Sequence, residues 1–247
     1  MKRILLPVLL VLLLASCSTG QTTTQPTTSQ TSTQPTTTQP TTTTQEPVIT
    51  PLELEFEGSG DYLSPTFNLK EGIVVLTAQY SGDSNFIVEV VPEAATWQVL
   101  SINTIGNYSG IRAHRVETGA IMALNPGGHR LQVKGSGEWQ VALAQKAFPT
   151  GRALPVEFSG AGDMVTDVFA LPEGITPIAF THTGKRNFIV EIFSVDGLTY
   201  DLTVNEIGDY DGSIGIKTEQ WPYFGLGPGP HIMVIQADGF WTAKIGE

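Results

Sequence analysis

The chain has 247 residues, one cysteine, and 24 acidic against 13 basic side chains, for a formal charge of −11. An acid surplus of this size repels phosphate backbones, so nucleic acid is not an expected partner. A lone cysteine rules out a disulfide within the chain, and any folded region must stand on its own hydrophobic core.

Residues 1–16 read as a secretory signal: Lys2 and Arg3 precede an apolar run from Ile4 to Ala15 that ends at small residues. The run is shorter than the roughly 20 residues a membrane-spanning helix needs. Removing the two bases leaves 11 bases against 24 acids and a charge of −13. The ending Leu14-Ala15-Ser16-Cys17 resembles the lipobox of prokaryotic lipoproteins. That resemblance implies cleavage before Cys17, acylation of its thiol, and an extracytoplasmic chain held by its lipid to the cell membrane or an outer membrane. Anchoring by more than one acyl chain is stable, at about 0.8 kcal/mol per buried methylene.

From Cys17 to residue 50 the chain is almost wholly Thr, Gln, Pro and Ser. With so few apolar side chains to bury, it cannot offset its ordering entropy and is expected to be a disordered stalk. Its proline favours extended conformations, and threonine beside proline is the composition of O-glycosylated spacers.

Beyond the stalk the sequence repeats. Phe56-Glu57-Gly58-Ser59-Gly60-Asp61 returns as Phe158-Ser159-Gly160-Ala161-Gly162-Asp163, and Asn85-Phe86-Ile87-Val88-Glu89 as Asn187-Phe188-Ile189-Val190-Glu191. Asn103-Thr104-Ile105-Gly106-Asn107-Tyr108 returns as Asn205-Glu206-Ile207-Gly208-Asp209-Tyr210, and Gly137-Glu138-Trp139 as Gly239-Phe240-Trp241. Every pair is 102 residues apart, without insertion. Two domains are expected, at 51–148 and 153–247. Within the first, period-two or β-rich runs predict strands at Leu52–Glu57, Ser64–Leu69, Ile73–Tyr80, Asn85–Val90, Thr96–Ile102, Gly110–Glu117, His129–Lys134 and Glu138–Ala144. The expected class is all-β: two tandem antiparallel β-sandwiches, jelly-roll-like, after a disordered linker. The ordered motifs Gly-x-Gly-Asp, Asn-Phe-x-Val and Gly-x-Trp resemble a β-sandwich repeat of secreted prokaryotic proteins and, in general layout, pre-peptidase C-terminal and carbohydrate-binding modules. The resemblance implies an accessory or binding role and carries no catalytic motif across.

Candidate sites follow the repeat. Trp139 and Trp241 open the last strand of each copy, where an exposed indole could stack on a sugar; Trp221 and Tyr223 belong to an aromatic cluster of the second copy alone. Tyr108 and Tyr210 fasten a tight connection that could serve as a ligand loop. Asp61 and Asp163 offer the hard oxygens calcium prefers, although aspartate after glycine is ordinary turn chemistry. The histidines show no metal-ligand spacing, and no nucleophile elbow or phosphate loop is present. The expected function is a surface lipoprotein that binds or adheres without catalysis, recognising glycan or protein and using no cofactor. A purely structural or assembly role and a hydrolase with a spatially assembled acidic pair stand as alternatives.

Overall fold

The structure, a computed structural model, describes residues 51–94, 99–119, 123–220 and 225–247. The signal, Cys17 and the stalk expected over 1–50 lie outside the described residues, as do Trp221 and Tyr223.

The first copy contains nine strands: β1 (Leu52–Ser59), β2 (Tyr62–Leu63), β3 (Phe67–Leu69), β4 (Gly72–Ser81), β5 (Asn85–Pro92), β6 (Val99–Ile105), β7 (Tyr108–Val116), β8 (Gly127–Lys134) and β9 (Glu138–Gln145). The second repeats them as β10 (Val156–Ala161), β11 (Met164–Val165), β12 (Phe169–Leu171), β13 (Gly174–Thr183), β14 (Asn187–Ser194), β15 (Tyr200–Ile207), β16 (Tyr210–Thr218), β17 (Gly229–Gln236) and β18 (Phe240–Ile245). No helix occurs among the described residues.

One sheet of the first copy runs β1-β9-β4-β7 and the other β2-β8-β5-β6, with β3 also on β8. The second copy runs β10-β18-β13-β16 and β11-β17-β14-β15, with β12 on β17. All named pairs are antiparallel. When β2 and β3 are taken as one interrupted strand, the orders become first-eighth-third-sixth and second-seventh-fourth-fifth, the two interleaved Greek keys of a jelly roll. Even the irregularities repeat: β5 shifts register between Val88 and Glu89 and β14 between Val190 and Glu191.

The strand expected over Ser64–Leu69 is broken, for a local reason. Pro65 has no N–H to donate, and Ser64 supplies an alternative bond: its amide donates to the Leu131 carbonyl, and its hydroxyl accepts from the Leu131 amide at 2.9 Å. Thr166 does the same with Met233 at 3.0 Å in the second copy. A hydroxyl therefore stands in for one ladder carbonyl while the chain bends.

Alternation along the strands builds the two interiors. In β4 the inward side chains Val74, Leu76, Ala78 and Tyr80 are buried, and they meet Phe86, Val88 and Val90 of β5. The second interior uses Ile178, Phe180, Phe188, Val190 and Ile192 in the same way. A third, smaller apolar cluster joins the copies: Ile73 and Ala113 from the outer side of the first, against Val168, Phe193, Ile232 and Val234 of the second. The connection between copies is also pinned, because Arg152 exchanges backbone hydrogen bonds with Val168 and Ala170. The described residues of both copies accordingly form one compact unit.

Candidate functional site

The repeated motifs converge on one end of each sandwich, where they form a clasp. Trp139 is 3 % exposed and Trp241 1 % exposed. Their Nε1–H groups donate to the carbonyls of Gly60 and Gly162, at 2.9 and 3.1 Å. Each indole thus ties the last strand to the Gly-x-Gly-Asp turn, and no ring face is left for a sugar. The expectation of an aromatic platform at these two positions is corrected: a large ring with one polar atom is held inside, where that atom finds a carbonyl.

The aspartates belong to the same clasp. Asp61 Oδ1 accepts from the Gly135 amide at 3.3 Å and Asp163 Oδ1 from the Ala237 amide at 3.1 Å, so both serve as turn acceptors. Among the described residues, no group of three or more His, Cys, Asp or Glu side chains is placed to hold a metal ion. Each copy closes the clasp through its tyrosine turn. Gly106, at φ +84°, donates its amide to Ser84, and Gly208, at φ +92°, donates to Arg186. A side chain is disfavoured at such angles, which explains glycine at both positions.

Tyr108 and Tyr210 pack against Phe86 and Phe188, with centroids 6.1 and 5.7 Å apart. Their surroundings then diverge. The Tyr108 hydroxyl donates to Asp163 Oδ2 of the second copy at 2.8 Å, and burial, reinforced by that carboxylate, pushes its pKa up. Arg112 Nη1 lies 3.8 Å from the same carboxylate, and the Ile111 amide donates to the Asp163 carbonyl at 3.0 Å. Asp163 is therefore both a turn residue of its own copy and the anchor of the seam.

Farther along the seam, Arg115 is buried. Its Nη1 donates to Glu117 at 2.9 Å and to the Gly197 carbonyl at 3.2 Å, and its guanidinium lies 4.2 Å from the centre of the Tyr200 ring. Gly197, at φ +77°, lies against the backbone of Gly72: a Cβ there would come within 2.5 Å of the Gly72 carbonyl oxygen.

Beside the Tyr108–Asp163 contact the seam opens into a polar cleft of about 560 Å3. Asn103, Asn107 and Arg112 line it from the first copy, and Arg186, Asn187 and Asp238 from the second. Amides from both sides, two guanidinium groups and a carboxylate can together match hydroxyls, carbonyls and amides of an extended polar ligand. Asp238 is held in place by the amides of Lys185 and Arg186; burial would raise its pKa, but these bonds outweigh it and keep the carboxyl below its ordinary value. The Nε of Arg112 is buried without a hydrogen-bond partner among the described residues.

No family model and no curated protein matches the chain.

A second depression, of about 710 Å3, lies on the outer face of the β1-β9-β4-β7 sheet. Glu57, Gln140, Gln79 and Ser109 form one cross-strand row on it. The corresponding row of the second copy holds Thr242 and Thr181, whose hydroxyls bond each other at 2.6 Å. Long polar side chains face solvent in one copy, and short self-satisfied ones in the other.

Of the seam, the sequence motifs mark Asp163 and the Asn103–Tyr108 connection, whereas Arg112, Arg115, Arg186 and Asp238 carry no motif. Their signal is a difference between the copies: Arg130 and Gln132 on the outer side of β8 become Ile232 and Val234 in β17, and Val91 becomes Phe193.

Proposed function

We propose that the chain is a lipid-anchored, extracytoplasmic binding protein without catalytic activity, and that the polar seam cleft takes an extended polar ligand, a glycan in the first instance. The observation that carries this reading is that the cleft is a joint product: neither jelly roll has it alone, and side chains from both line its walls. A ligand bound there would be gripped between modules already fixed by the Arg115 and Asp163 contacts, so little ordering cost is left to the binding step. The anchor at Cys17 and the threonine-rich stalk support a role at a distance from the membrane surface.

The test is a glycan array followed by calorimetry on the full chain carrying Cys17→Ser. Saturable binding to one glycan class is expected, weakened at least ten-fold by Asn187→Ala or Arg186→Ala. Binding that ignores both substitutions, or a blank array, would remove the reading.

A further inference from the structure

Each jelly roll has an open side where its two sheets end, at β6 and β7 in the first copy and at β15 and β16 in the second. In the first copy this side forms a groove lined by Leu100, Ala113, His114, Arg115 and Leu124, and it receives Phe193 and Tyr200 of the second copy. The same positions moved by 102 residues line a groove in the second copy: Leu202, Gly215, Ile216, Lys217 and Leu226. The ion pair at the rim repeats too, Arg115 with Glu117 and Lys217 with Glu219.

The two grooves differ in occupancy. The first is filled by the turn between β14 and β15 and keeps about 220 Å3, whereas the second has about 560 Å3 and nothing among the described residues enters it. Ile73 beside the first groove is 2 % exposed, while its counterpart Ile175, which borders Gly215, is 74 % exposed. Leu202 is half exposed, as is its counterpart Leu100 at the filled groove, so the difference between the grooves lies at Ile175. An isoleucine and a leucine left in water along an open groove form an apolar surface that calls for a partner.

We infer that the second groove docks a β-hairpin turn of another protein, one that presents an aromatic ring and a free backbone carbonyl as residues 193–200 present theirs to the first groove. The filled groove is an internal template for this partner. Lys217 stands where Arg115 takes both the Tyr200 ring and the Gly197 carbonyl, and an ammonium can do each of these. Gly215 replaces Ala113 and widens the floor, and Ile214 and Ile216 replace Arg112 and His114, making the walls more apolar. A second copy of this chain fits poorly. Its turn at 193–200 is already engaged, and the matching face of its first copy offers polar Arg130 and Gln132 in place of Ile232 and Val234.

The inference is independent of the seam cleft and is tested with the full chain carrying Cys17→Ser. The probe is a fluorescent, cyclised peptide of residues 190–204, the one hairpin shown to fit such a groove. Because the first groove is filled, anisotropy should report a single site per chain. Ile175→Asp or Lys217→Glu in the chain, and Tyr200→Ala in the peptide, should each weaken binding at least ten-fold. Ile175 and Lys217 are exposed, so these variants should fold, and circular dichroism checks that they do. No saturable binding, or binding indifferent to the chain substitutions, overturns the proposal. So does self-association of the chain that Ile175→Asp abolishes, which would give the groove to a second copy.

Discussion

Positions 78 and 141 face each other across β4 and β9, and positions 180 and 243 across β13 and β18. The first pair is Ala and Val, the second Phe and Ala, and all four side chains are buried. Bulk has moved from one strand to its neighbour while the interior stayed filled, as close packing demands. Ala78→Phe should therefore destabilise the first sandwich by about 1–3 kcal/mol through overpacking, and adding Val141→Ala should recover most of that loss in urea denaturation. Additive destabilisation in the double variant would show that the two sites do not compensate. This coupling was invisible in the sequence, because alternation shows which side chains turn inward but not which of them meet. The tryptophans teach the same lesson. Their matched positions were legible, whereas their role depended on whether a carbonyl lay within reach of the indole. Trp139→Phe leaves the Gly60 carbonyl without its donor and should cost about 1–3 kcal/mol. It should leave binding in the seam cleft unchanged, which a stacking platform would not.

At the level of elements, most strands were readable because one face of each is wet. β8 alternates, with Leu131 and Val133 buried and Arg130 and Lys134 exposed. β17 does not: Ile232, Met233, Val234 and Ile235 are all buried, because the first copy covers its outer face. A continuous apolar run in a strand signals burial on both sides, so the seam was written in the contrast between β8 and β17. The seam lies where the repeats disagree, not where they agree. Restoring the first copy's residues, as Ile232→Arg with Val234→Gln, should open the seam. Small-angle scattering would then report a larger radius of gyration, while far-ultraviolet circular dichroism keeps its strand signal. Gly197→Ala should act in the same direction, because its methyl group meets the Gly72 backbone rather than a side chain that could swing away. Scattering curves identical to those of the parent chain would mean that the apolar cluster does not hold the copies together.

The whole molecule has a charge balance that the fold turns into a pH dependence. The duplication places a matched histidine, His129 or His231, at the start of a strand in each copy, and the fold encloses both. His129 and His231 are each 1 % exposed, and each ring bonds through Nδ1 to the carbonyl two residues back, Gly127 or Gly229. Their Nε2 atoms are buried with no partner among the described residues. Burial pushes the pKa of both rings down, and it pushes His114, with help from neighbouring Arg112, down to about 3. A histidine whose folded pKa lies below its unfolded value of about 6.5 stays neutral in the fold while the unfolded chain takes up a proton. The unfolded state then binds more protons, so stability is complete above about pH 6.5 and falls as the pH drops toward the folded values. The slope reaches at most about 1.4 kcal/mol per pH unit for a ring that is protonated only in the unfolded chain. Glu191 works in the opposite sense, because burial raises its pKa and the folded state gains a proton more readily as the pH falls. Its effect runs upward from its ordinary value of 4.5, inside the histidine window, so it offsets part of the loss as the pH falls. Urea unfolding of the parent chain should therefore give a lower free energy at pH 5.5 than at pH 7.5. His129→Gln with His231→Gln should shrink that difference. An undiminished difference in the double variant would show that these rings exchange their proton in the folded state and that their burial is not what makes the protein sensitive to acid.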